Sequence, residues 1–69
     1  MIRLSADQRK GVILKAIGKL AVEIGVYGIT YDNVAETCEV ETSRHTVKHY
    51  FRTKQLLHAA ASDHLSRLD

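Results

Sequence analysis

Cysteine, proline and long apolar runs are what this chain has least of. A single cysteine, Cys38, among 69 residues excludes an intramolecular disulfide and leaves no cysteine set for a structural zinc. Proline is absent, and with no low-complexity tract or internal repeat nothing marks a linker, so residues 1–69 read as one domain. No stretch is apolar enough to span a bilayer, because Lys15, Lys19 and Glu23 interrupt the longest candidate. The opening Met1-Ile2-Arg3-Leu4-Ser5 lacks the uninterrupted apolar run of a signal peptide. With the free thiol, these absences set the expectation of a cytoplasmic protein with no membrane partner. Length is scarce too. A chain of this size buries only about 60% of the surface its unfolded form exposes, which leaves little room for a walled catalytic pocket beside a core.

What is present is ordinary for a globular protein: 45% hydrophobic and 26% charged residues. Ser5 with Gln8 three residues on has the spacing of a capping box. Ile13, Ile17, Leu20 and Ile24 then recur at spacings of four, three and four, with Ala16 and Ala21 beside them. That is the apolar stripe of an amphipathic helix, with Arg9, Lys10, Lys15 and Lys19 mostly off it. Gly25 is a natural stop, because glycine takes the left-handed conformation without steric cost. Thr30 can cap a second helix running to about Cys38, with Asp32 in its first turn and Val34, Ala35 and Cys38 inward. Thr42 or Ser43 can cap a third, with Val47, Tyr50 and Phe51 inward. Thr53 can cap a fourth, where Leu56, Leu57, Ala60, Ala61, Leu65 and Leu68 make a broad apolar stripe. No segment keeps the strand period. The fold class that follows is all-α, a small bundle of about four helices.

The net charge is only +2, but its distribution is uneven. From Thr42 to Lys54 the chain carries Arg44, Lys48, Arg52 and Lys54 and no acid, with His45 and His49 among them. From Tyr31 to Glu41 it carries Asp32, Glu36, Glu39 and Glu41 and no base. On the third helix Arg44, His45, Lys48 and His49 take the face opposite Val47 and Tyr50. A short helix with a basic, hydrogen-bonding outer face suits the DNA major groove, where Arg and Lys reach guanine and phosphate. On charge alone, a solvated surface helix is the competing reading. The acids of the second helix are tolerable beside DNA, since in a helix-turn-helix only the N-terminal end of the first helix of the pair nears phosphate. Glu41 is the awkward one.

Ile13-Leu14-Lys15-Ala16, then Gly25, then Thr30-x-x-x-Val34-Ala35-Glu36, then Thr46-Val47-Lys48-His49-Tyr50-Phe51-x-Thr53-Lys54-x-x-Leu57 resembles the N-terminal DNA-binding domain of the TetR family. The resemblance covers about residues 9 to 61, and His49-Tyr50-Phe51-x-Thr53-Lys54 is its most specific part. It implies a helix-turn-helix in a TetR-N/homeodomain-like fold. Thr30 and Tyr31 would hold phosphate from the second helix. Thr42, Ser43, Arg44, His45 and Thr46 would open the recognition helix, the last three near base edges. Lys48, His49 and Tyr50 would touch bases or backbone, Lys54 would meet a phosphate at the start of the fourth helix, and Val47 and Phe51 would be core. Two departures stand out. Val34-Ala35 and Tyr50-Phe51 lie two residues further apart than is usual in the family, an excess expected within Glu39–Thr42, where the usual turn glycine is missing. Family members also continue into a long ligand-binding and dimerising domain, whereas this sequence ends at Asp69.

That ending leaves two readings, a complete miniature or a fragment; the polar close after the fourth apolar stripe favours the first. With no inducer domain, neither a small-molecule effector nor a cofactor is expected. Two half-sites a helical turn apart multiply affinity, so a homodimer is expected. Leu57, Leu65 and Leu68 are expected to divide between core and a two-fold interface, with Ile2, Leu4 and Val12 as further spare apolar surface.

Other constellations are weaker. His45 and His49 are four apart, but a pair without a third ligand is a poor metal site. His58 and His64 read as surface or core-edge residues, and Cys38 as a small core filler. Ser43 with either His45 or His49 lacks an orienting acid and an oxyanion hole. Tyr27, Tyr31 and Tyr50 are too scattered for a single-strand stacking platform. The chain therefore reads as a non-enzymatic, sequence-specific double-stranded DNA-binding regulator, a repressor in preference to an activator. The alternative is a small module gripping a partner transcription factor through the same fold.

Overall fold

A computed structural model describes residues 4–67, and these form four α-helices and one 3₁₀ turn. Helix α1, Ala6–Ile24, begins with the full capping box: the Ser5 hydroxyl accepts from the Gln8 amide at 3.1 Å, and the Ser5 amide donates to Gln8 Oε1 at 2.9 Å. It ends at Gly25, whose amide donates to the Ala21 carbonyl. Gly25 sits at φ 85°, ψ 160°. The positive φ matches the sequence-based expectation, but ψ is extended, not left-handed helical. This region is essentially closed to residues with a Cβ.

A 3₁₀ turn, Val26–Gly28, leads to α2, Tyr31–Thr37; α3 follows over Arg44–Tyr50 and α4 over Lys54–Ser66. Each α-helix starts at a hydroxyl cap. Thr30 Oγ1 accepts from the Asn33 amide, Ser43 Oγ from the Thr46 amide and Thr53 Oγ1 from the Leu56 amide, at 3.1–3.2 Å. Such a side chain satisfies one of the amides that a helix start leaves without an intrahelical partner.

The core is built from apolar side chains and the ring of Tyr31. Ile13, Ile17, Ile29, Val34, Val47 and Leu57 are its fully buried members. Helix α1 packs on both α2 and α4, and α2 packs on α3, so α1 is the central rod and α3 is carried by α2. Four of the expected placements differ. Leu57 is completely buried and belongs to the core with Ala61, so it cannot serve a two-fold interface. Leu65 at 37% and Leu56 at 52% remain exposed, and Leu68 and Ile2 lie outside the described residues. Ile24, on the α1 stripe, is half-exposed; the chain turns away at Gly25, and the Ile24 side chain lies over Gly28. Tyr31 is buried, with consequences taken up below. His64 lays its imidazole against Gly18 of α1, closer than any Cβ there would permit. His58 bonds the Ile29 carbonyl at 3.2 Å and stands edge-on to Tyr27.

Candidate nucleic-acid interface

Helix α3 exists because Ser43 caps it and Val47 anchors it. Its seven residues bury one side chain, Val47, and the following Phe51 adds a second anchor at 8% exposure. At 100° per residue, Arg44, Lys48, His45 and His49 span an arc of about 140° on the opposite side, and all four are exposed. Among the described residues neither Lys48 nor Lys54 has a carboxylate within ion-pair distance, and Lys54 opens α4 fully in solvent contact. Four donors on one side of a helix about 10 Å long, with no acid on that helix, make a compact cationic ridge.

The remaining expected residues have more constrained roles. The Ser43 and Thr46 hydroxyls lie 3.0 Å apart, and Ser43 also caps the helix, so this pair builds the start of α3 first. Thr42 donates its hydroxyl to the Val40 carbonyl at 2.8 Å, stiffening the turn. Tyr50 is half-buried against the core and meets the His49 ring edge-on at 5.6 Å. Thr30 Oγ1 is taken up by its cap.

Tyr31 contradicts the expectation that its side chain faces phosphate. It is 8% exposed, and its hydroxyl is buried with no hydrogen-bond partner among the described residues. The signal was in the spacing: Tyr31 precedes Val34, Ala35 and Cys38 by three, four and seven residues, which is the inward stripe of α2.

Helix α2 stops at Thr37 and α3 starts at Arg44, leaving Cys38–Ser43 between them. Two acids of this region are held by cations from other elements. Glu39 pairs with Lys15 of α1 at 3.0 Å, and Asp32 of α2 pairs with the Arg44 Nε at 3.6 Å. Both pairs are well exposed, so each contributes at most about 1 kcal/mol to stability; their effect is on where charge sits. Glu39 is drawn toward α1. Sequence spacing could not reveal either pair, since one joins α1 to the α2–α3 connection and the other joins α2 to α3.

A second surface feature lies on the outer side of α1. A groove of about 470 Å³ is lined by the apolar or small residues Val12, Ala16, Gly18 and Val22 together with charged and polar ones, Lys15, Lys19, Glu23, Thr37, Glu39 and His64. No described helix is long and apolar enough to cross a membrane. Among the described residues no three His, Cys, Asp or Glu side chains converge as metal ligands.

Compared with protein-family models, curated proteins and solved structures, the chain finds no match in any of the three. The site is therefore argued from its own residues.

Proposed function

We propose that the chain is a sequence-specific double-stranded DNA-binding regulator of the TetR type, a repressor acting as a dimer on an inverted-repeat operator. The observation that carries this reading is the outward side of α3, where Arg44, His45, Lys48 and His49 are exposed together on an acid-free helix. Such a helix fits the major groove, with its N-terminal residues at base edges. Lys48 and Lys54 supply phosphate contacts, and counterion release makes such binding strongly salt-dependent. Repression needs only occupancy of a promoter. A two-fold contact would use Leu65, at the exposed end of α4.

A second reading draws on a different observation. The groove over α1 has apolar residues in its lining, of which Val22 is 62% exposed, and this suits a protein partner on the side that α3 does not line.

Selection from random duplex DNA at moderate salt separates the two. Enrichment of an inverted repeat supports the dimeric regulator, and a single enriched site supports a monomeric reader. Loose, salt-sensitive binding without enrichment overturns sequence-specific recognition and leaves the protein-binding module.

A further inference from the structure

We propose that Asp32 is a positioning residue that aims Arg44 at a guanine in the bound duplex; this rests on the DNA-binding reading of α3. Arg44 is the first residue of α3, the end that a recognition helix presents to base edges. Arginine is poorly placed there on local grounds, because the N-terminal end of a helix carries the positive pole of its dipole. A carboxylate from another helix offsets that. Asp32, in the first turn of α2, brings Oδ1 to 3.6 Å from the Arg44 Nε, and both side chains are about two-thirds exposed.

The atom engaged is what matters. The ion pair is made at Nε, at a separation beyond that of a hydrogen bond, and the two terminal amino groups take no part in it. Those are the groups that can bond guanine O6 and N7 together. The carboxylate thus biases the stem of the side chain by charge, while its tip is left out of the pair. Fixing a long side chain in its bound orientation lowers the ordering cost met on binding. Lysine at the same position would keep the charge but has neither the planar fork nor the Nε edge.

Asp32 also carries a negative charge near the phosphates, which disfavours DNA of every sequence. Two effects of opposite kind therefore sit on one carboxylate: weaker binding overall and sharper discrimination at one base pair. Removing the charge separates them.

The test uses the full chain and the duplex obtained by selection, with each guanine of the half-site replaced in turn by adenine. Dissociation constants are measured at fixed salt. At one guanine the wild-type protein should discriminate by about 5- to 150-fold, the range of a good bidentate contact. Asp32→Asn should reduce discrimination several-fold at that position and leave the other positions unchanged, while binding to unrelated duplex rises. Asp32→Glu should retain much of it. Arg44→Lys should lose it, and adding Asp32→Asn to Arg44→Lys should change nothing further at that base. Thermal melts of each variant show whether it is folded, and Asp32→Ser, which also removes the charge, carries the comparison if Asp32→Asn is not. Equal discrimination in wild type and Asp32→Asn, with only a uniform gain in affinity, would overturn the positioning role and leave Asp32 a repelling charge. Absence of any selected sequence for the wild type overturns the DNA reading itself, and with it this assignment.

Discussion

Helix α1 buries six of its 19 residues, whereas α3 buries one of its seven. The contrast follows from where each helix sits. Helix α1 packs against α2 on one side and α4 on another, so Ile13, Ala16, Ile17, Leu20 and Ala21 must all be apolar or small. Helix α3 leans on its neighbours at Val47 and, in part, Tyr50, and the rest of its surface is released from core duties. In a domain this small, such a division is the only way to keep a broad polar surface without hollowing the core. The same division predicts that substitutions fall into two groups, those that remove the fold and those that leave it intact while altering what α3 does.

The largest effect belongs to the α1–α4 side. Leu57 is fully buried, so Leu57→Ala removes packed methyl groups and leaves a cavity, at a cost of about 2–5 kcal/mol. At 0.05–0.15 kcal/mol per residue, the whole domain has only about 3–10 kcal/mol of stability. Urea denaturation should find the midpoint of this variant lowered by a large fraction of the wild-type value, with the selection of DNA weakened wherever the unfolded chain becomes populated. A folded Leu57→Ala protein with an unchanged urea midpoint would break the comparison.

A smaller effect is expected at the end of α1. The φ and ψ of Gly25 lie where a Cβ is strained, so Gly25→Ala should cost about 1–3 kcal/mol, although nothing crowds that position in space. The drop in melting temperature should therefore come from the backbone alone. A Gly25→Asn variant, no better suited to an extended ψ, should lose a similar amount; an unchanged melting temperature in both would refute the strain argument.

What the residues disclosed in advance was local. Ser5 with Gln8, Thr30, Ser43 and Thr53 were legible as caps because a cap involves residues within one turn of each other. Gly25 was legible as a stop for the same reason, though its ψ was not. The inward positions were legible as stripes but not as widths. Leu57 and Leu65 both lie on the α4 stripe, and only the crossing of α4 over α1 decides that Leu57 is interior and Leu65 is not. Tyr31 was misjudged because its place at the start of a helix outweighed its spacing to Val34, Ala35 and Cys38. The pairs Lys15–Glu39 and Asp32–Arg44 were hidden altogether, since they depend on how separate parts of the chain are set against one another. For the candidate interface, the basic side of α3 was visible in the sequence, while the groups that orient or occupy its members were not.

Lys48 gives the mildest test of stability and a sharp one of function. It is exposed, lies on the cationic ridge and has no carboxylate within ion-pair distance among the described residues. Lys48→Ala should therefore leave the urea midpoint within about 0.5 kcal/mol of wild type, as surface substitutions generally do. If Lys48 meets a phosphate, the same change should weaken binding to all duplexes alike and lower the slope of log affinity against log salt by about one. If it instead reads a base edge, the loss should be confined to one position of the half-site and the slope should stay nearly constant. Under the protein-partner reading neither quantity moves, while Val22→Asp in the groove over α1 abolishes capture of the partner. A salt titration of one alanine variant thus distinguishes a phosphate contact, a base contact and no contact at α3, with the core left undisturbed in every case.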